Sequence, residues 1–137
     1  MRRDKNNMID FSDFEKNTKI VFKDKNLLKQ AFVHRSYINE NSGSFLLHNE
    51  RLEFLGDAVL ELIVTDFLYK KYPNYTEGEL TAIRSALVNA IIISEVALKI
   101  GMNNYLLLSK GEAKDTGKAR QYILANTFEA LVGAVYL

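Results

Sequence analysis

His48-Asn49-Glu50-Arg51-Leu52-Glu53-Phe54-Leu55-Gly56-Asp57-Ala58-Val59-Leu60-Glu61 decides how the rest of the chain is read. At about 100° per residue, Glu50, Glu53, Asp57 and Glu61 fall within one narrow stripe of a helix. From Leu52 to Val64 the other directions are apolar apart from Gly56. A helix that is apolar nearly all round is expected to be buried. Carboxylates on a buried helix are costly unless they are paired, hydrogen-bonded or metal-bound. One solution is an ion-pair stripe matched by Arg or Lys from elsewhere. The other is a hard-cation site, and four acids with no basic residue on their stripe favour it.

The bulk composition narrows the classes. A chain of 137 residues, 47% hydrophobic and 26% charged, fits one ordinary globular domain with a sizeable core. There is no cysteine, which excludes disulfides, thiolate metal sites and cysteine nucleophiles. No apolar run reaches the roughly 18 residues of a membrane span, and the start lacks a signal peptide's apolar segment. The expectation is a cytoplasmic protein with no membrane partner. Net charge is only +1, so a polyanionic partner would have to be met through local basic patches.

Working outward, residues 1–10 read as a polar, frayed tail and 11–137 as one domain. A short helix is predicted from Phe11 to about Ile20. A second runs from about Asn26 to Tyr37, capped by Asp24 or Asn26, with Leu27, Leu28, Ala31 and Phe32 inward. His34 near its end reads as a packing or helix-terminus residue rather than a ligand. Asn39 to His48 is a loop whose Phe45-Leu46-Leu47 should be buried. The central helix runs to Lys71 and stops at Tyr72-Pro73-Asn74. Thr76 and Glu79 form a capping box for the next helix, with Leu80, Ile83, Ala86, Leu87 and Ala90 as its inner face. A further helix through Ile91-Ile92-Ile93 ends at Gly101. Ser109 to Arg120 reads as a flexible basic loop that opens into a last helix, Gln121 to Leu137.

That last helix repeats the anomaly of the central one. Ile123 to Leu137 is apolar except for Asn126, Thr127 and Glu129, and Asn126 and Glu129 face the same way. The helix has no C-terminal cap in this sequence, so the chain is expected to be part of a longer protein. Every element reads as a helix, so the fold class is all-α. If the two faces meet, five oxygen-bearing side chains surround one point: Glu50, Glu53, Asp57, Asn126 and Glu129. Mg²⁺ and Mn²⁺ are held in this way and can support an in-line phosphoryl displacement. A di-iron bundle needs two Glu-x-x-His motifs, and neither His34 nor His48 follows a Glu by three. A helical binding module, its acids paired with Arg51, Arg84 and Lys118, stays open.

At these residues the chain resembles a known family. The stretch from His48 to Val59 looks like the signature motif of the ribonuclease III family. Val33-His34-Arg35-Ser36 resembles the motif upstream of it, with Val33 where the family more often has threonine. Tyr72-Pro73, Glu77-Gly78-Glu79-Leu80, Arg84 and Leu87-Val88 resemble the middle of the domain. Ile123 to Ala134 is similar to its C-terminal catalytic motif.

The resemblance implies an all-helical domain, 11–137, that forms a symmetric homodimer. It further implies cleavage of double-stranded RNA with Mg²⁺ to 5′-phosphate products with short 3′ overhangs. Glu53, Asp57, Asn126 and Glu129 would hold the metal, with Asp57 and Glu129 catalytic. Glu50 and Glu77 would be outer acids near the RNA path, and Phe54 would enter the partner subunit. Arg35, Lys110, Lys118 and Arg120 would contact phosphates. Three features depart from the pattern. Asn126 stands where the bacterial motif usually has Asp, the loop from Asn39 to Leu47 is a few residues longer, and no double-stranded RNA-binding domain is expected within these 137 residues. A catalytically impaired module for RNA binding or dimerisation is the alternative.

Overall fold

The computed structural model describes residues 9–137. The frayed tail expected for the first ten residues lies largely outside these. Ile9 itself is half-buried against the core, and Asp10 accepts from the amide and hydroxyl of Ser12. Eight α-helices follow: α1 (Ser12–Thr18), α2 (Lys25–Ala31), α3 (Arg35–Glu40), α4 (Glu50–Lys71), α5 (Glu77–Leu87), α6 (Ala90–Lys99), α7 (Lys110–Lys114) and α8 (Lys118–Tyr136). A 3-10 turn spans Met102–Asn104. Among the described residues there is no strand, and an all-α fold results, as the sequence predicted.

The helix predicted over Asn26 to Tyr37 is two helices. Asp24 caps α2 by accepting from the Asn26 and Leu27 amides, and α2 stops at Ala31. Val33 then forms a parallel bridge with Leu107, and the His34 amide donates to the Leu107 carbonyl at 3.0 Å. That pairing holds the backbone extended, and His34 restarts the helix as the N-cap of α3. Its Nδ1 accepts from the Ser36 amide and hydroxyl, so the terminus reading of this histidine is the observed one. Burial is the main cause that lowers the His34 pKa.

The centre of the fold is α8, not α4. Ile123, Leu124, Ala125, Thr127, Ala130, Leu131 and Ala134 of α8 are all buried. α4, α6 and α2 pack around it. At the amino-terminal end Phe11, Phe14, Phe32 and Tyr105 form a ring cluster with centroids 5.1–6.1 Å apart. Glu15 is buried beside it. Burial pushes its carboxyl up, but the Lys25 ammonium at 2.7 Å and the Phe22 amide outweigh that and hold it low.

Burial along α4 corrects the sequence reading. Only Leu52, Gly56 and Leu68 are buried, while Phe54, Leu62, Ile63, Phe67 and Tyr69 face outward. A 22-residue helix that is apolar on several sides packs closely along α8 and only lightly against α5, which leaves most of its surface uncovered. The same holds nearby. α5 has its capping box at Thr76–Glu79 but buries none of its residues completely, and Ala86 and Leu87 of the expected inner face are exposed. Phe45 and Leu47, expected inside, are also exposed. No single helix among the described residues is long and apolar enough to cross a membrane.

Candidate active site

Two glycines set the geometry of the site. A β-carbon at Gly56 of α4 would overlap the Glu129 carbonyl oxygen of α8, and one at Gly133 would overlap the Leu52 carbonyl. The helices therefore cross backbone against backbone. Glu53 and Asp57 flank Gly56 on the exposed side of the crossing, and Asn126 and Glu129 are one turn apart on α8. Glu50, Glu53, Phe54, Asp57, Asn126 and Glu129 line one open cleft of about 620 Å³. The five oxygen-bearing side chains expected to meet do line one cleft.

Two of these carboxyls are held above the ordinary range, by burial first and by neighbouring acids second. Partial burial, then Asp57 and Glu53, push the Glu129 carboxyl up to about 7. Burial followed by Glu50 and Asp57 also raises Glu53. Burial and a neighbouring like charge both disfavour the ionised form of a carboxyl. Among the described residues no three acid or imidazole groups already form a metal-binding cluster. The donor set still fits a hard divalent cation, being carboxylates with one amide oxygen and no sulfur or imidazole.

Other acids are drawn off. Glu61, fourth on the α4 stripe, lies 3.6 Å from the Arg84 Nε, and Arg84 also donates to the Thr65 hydroxyl. Glu77 starts α5 beyond the far end of α4 and does not line the cleft. Glu50 lines it but is bound by Arg35 at 2.8 Å, so this arginine neutralises the rim.

The basic residues separate into two kinds. Lys110 and Lys118 are exposed. Arg120 is only 9% exposed, and the expectation that it meets phosphates is corrected by its bonds. It donates to the Asn103 side chain and to the Glu112 and Ala113 carbonyls, so it ties α7 to the start of α8. The stretch expected to be a flexible loop is largely helical as a result.

Sequence reasoning passed over Asn49, which positions the site. It is buried at the start of α4, donates its side chain to the Ala31 carbonyl and its amide to the Val33 carbonyl. Its place just before an acid-bearing helix was the available signal. Phe54 stands at the cleft's edge, 83% exposed.

Known proteins share this arrangement of chain. The chain is 52% identical to a Ribonuclease 3 of Enterococcus faecalis over 86% of its length and 51% of that protein. It is 45% identical to a Ribonuclease 3 of Listeria monocytogenes over 95% of its length and 57% of the relative. It thus spans about half the length of the curated relatives it matches. Its fold is similar to the nuclease domain of ribonuclease III from Campylobacter jejuni, at a TM-score of 0.83 and 37% identity over 93% of this chain and 85% of that one. That protein is described as flexible in a region involved in dimer formation. A Dicer from Pichia stipitis is similar at a TM-score of 0.59 and 32% identity over 83% of this chain and 45% of that one. The family model described as Ribonuclease-III-like matches residues 24–137, both acid-bearing helices included, and the chain belongs to the ribonuclease III family.

Proposed function

We propose that this domain is a divalent-metal-dependent endonuclease that cuts double-stranded RNA. The observation that carries the reading is the crossing at Gly56 and Gly133, which brings Glu53, Asp57, Asn126 and Glu129 to one cleft. These four side chains would hold Mg²⁺, or Mn²⁺ in its place, with Asp57 and Glu129 nearest the chemistry. A cation there supplies Lewis-acid activation of water and neutralises charge on the transferring phosphoryl group. Without it the carboxylates repel a phosphodiester, so the same residues that hold the cation govern substrate entry. Glu129, whose carboxyl is raised to about 7, must give up its proton to act as a ligand. Glu50, paired with Arg35, borders the cleft and meets the RNA at its rim. Glu77 acts as an outer acid farther along the path.

The exposed apolar face of α4, with Phe54 at its head, supports a symmetric homodimer. Two clefts on one duplex would cut both strands, leaving 5′-phosphates and short 3′ overhangs. A cytoplasmic role in RNA processing belongs to the same proposal. Asn126 favours a second reading, a silent module for RNA binding or dimerisation. One experiment decides between them: a labelled perfect RNA duplex incubated with the protein in Mg²⁺, in EDTA, and with Glu129→Gln. Cleavage in Mg²⁺ alone, lost in the Gln variant, supports the nuclease. Equal cleavage in EDTA or by Glu129→Gln overturns it.

A further inference from the structure

Two distant segments of the chain meet at the first turn of α3. His34 caps that helix, and its Nδ1 accepts from the Ser36 amide at 3.2 Å and from the Ser36 hydroxyl at 2.7 Å. The Ser36 Oγ in turn accepts from the Ser109 amide at 3.0 Å, across 73 residues of sequence. Ser109 is the N-cap of α7, and its own hydroxyl accepts from the Glu112 amide. Beside it, the Lys110 amide donates to a carboxylate oxygen of Glu40, at the other end of α3. These bonds tie α7, with its exposed Lys110 and Lys114, to α3. Arg35, on the same first turn, holds Glu50 at the rim of the acid cleft. One turn of helix thus reaches both the cleft rim and the lysines.

The direction of these bonds fixes the state of the ring. The Ser36 amide has only a hydrogen to offer, so Nδ1 is the acceptor and Nε2 carries the proton. A charged imidazole accepts nothing, and its Nδ1–H would face the Ser36 amide donor to donor. The cap would open, and the turn that presents the Ser36 hydroxyl to Ser109 would loosen. The charged groups around the ring come from every neighbouring element: Glu112 of α7, Glu50 of α4, Arg35 of α3 and His48 of the loop before α4. Burial is the largest influence and opposes the charged form, as do Arg35 and His48, while the two acids favour it. The ring therefore stays neutral to below its ordinary 6.5.

We propose that neutral His34 and Ser36 form a clasp that positions α7 against the turn bordering the cleft, and that protonation of His34 releases it. The clasp belongs to the fold, and its effect on RNA rests on the nuclease reading. Both are positioning residues and take no part in bond breaking. Release frees the lysine-bearing segment and loosens the turn that carries Arg35, so duplex binding weakens in acid. The sign follows from linkage. A histidine held below its ordinary value contributes stability that is present above 6.5 and lost as pH falls through the folded value.

A Glu129→Gln background keeps the RNA intact and removes the carboxyl that titrates at about 7. In it, the imidazole nitrogen resonances of His34 should show the Nε2–H form at about pH 7.5. Hydrogen-exchange protection of the Ser109 amide should fall about tenfold between about pH 7.5 and about pH 5. His34→Asn puts an amide oxygen near the place of Nδ1 and remains a good N-cap, so it should keep that protection at both pH values. His34→Ala should lose it at both. Duplex affinity, read as fluorescence anisotropy, should weaken about threefold on the same acidification relative to His34→Asn. A proton on Nδ1 at neutral pH overturns the clasp. So does an equal loss of protection with pH in the His34 and His34→Asn proteins. A clasp that opens while duplex affinity stays constant overturns its part in placing RNA. Absence of cleavage by the unaltered protein overturns the nuclease reading instead, and amide exchange then still tests the clasp by itself.

Discussion

Gly56 and Glu129 meet backbone to backbone: a β-carbon at position 56 would overlap the Glu129 carbonyl oxygen and stand 2.8 Å from the Gly133 amide nitrogen. Neither obstacle is a flexible side chain, so neither can swing aside. The helices would have to separate, and the acids on either side would separate with them. Gly56→Ala should therefore cost at least ~2 kcal/mol in urea unfolding, the upper range for overpacking. Residual cleavage should fall further than stability alone accounts for. Gly43→Ala has nothing within 4 Å of the added carbon and serves as the comparison. A Gly56→Ala protein as stable as Gly43→Ala would show the crossing to be looser than described.

The Glu129 carboxyl makes stability depend on pH. Its folded pKa of about 7 stands above the ordinary 4.5, so the folded state binds this proton more tightly than the unfolded one. Stability is then fully present below about 4.5 and is lost as pH rises through about 7. Glu53, also raised, acts in the same direction. In EDTA the melting temperature should fall over this window, and Glu129→Gln should flatten the fall. Mg²⁺ should restore stability at the alkaline end, where the ligands are ionised. A melting temperature that rises from pH 5 to 8 in EDTA would contradict the assignment.

Phe54 and the outward side of α4 account for a second expectation. Phe54, Leu62, Ile63, Phe67 and Tyr69 leave a long apolar face in water. A two-fold partner would cover the same patch on both chains. Sedimentation should give about twice the 15.7 kDa chain mass for the unaltered protein. Phe54→Ala should shift it toward monomer or aggregate. A mass of 15.7 kDa at micromolar concentration removes the dimer from the proposal.

These outcomes follow the line between what the sequence reveals and what it hides. Signals confined to one element were legible: a cap for α2 at Asp24 or Asn26, of which Asp24 serves, the Thr76–Glu79 capping box, the halt at Tyr72-Pro73, and acids at helical spacing. The break between α2 and α3 was not, because Val33 is held by Leu107, far along the chain, and local periodicity runs straight through it. The burial of α4 was misjudged for a related reason. Apolar residues reveal a face to be covered but not whether the covering surface is in the same chain. Gly56 looked like a gap in an apolar helix and is the point where α4 lies directly against the backbone of α8.

Arg120 illustrates the same limit and yields a test. A basic residue among lysines before a helix reads as surface charge, yet this one is buried with three hydrogen bonds that join α7, Asn103 and α8. Bonds from a charged donor contribute roughly 1.5–3 kcal/mol each and do not add fully. Arg120→Ala should cost about 3 kcal/mol in urea unfolding. Arg120→Lys should rescue little, since one ammonium cannot reproduce the guanidinium fork. Any loss of RNA affinity should follow the loss of folded protein, with the salt slope unchanged. A fully stable Arg120→Ala with a lower slope would return this residue to the RNA surface.

Asn126 decides how well the cleft works. It lines the cleft with Glu53, Asp57 and Glu129, and its amide oxygen is an acceptable donor to a hard cation. It brings no charge, so in the proposed site only the carboxylates of Glu53, Asp57 and Glu129 would offer charge to a divalent ion. Their charge still exceeds that of the cation, and binding should be weakened rather than abolished. The same neutrality limits the charge acting on Glu129, whose carboxyl is already raised to about 7 by burial, Asp57 and Glu53. Asn126→Asp would add a fourth charge, strengthening the metal site and making the metal-free one more repulsive. Two opposed effects are therefore expected in one variant. The half-saturating Mg²⁺ concentration for cleavage should fall about tenfold, equivalent to ~1.4 kcal/mol, with a similar maximal rate. The melting temperature in EDTA above neutral pH should fall at the same time. Cleavage by the Asp form alone, with none by the Asn form at any Mg²⁺ concentration, would make Asn126 an inactivating change and the domain a silent member of its family.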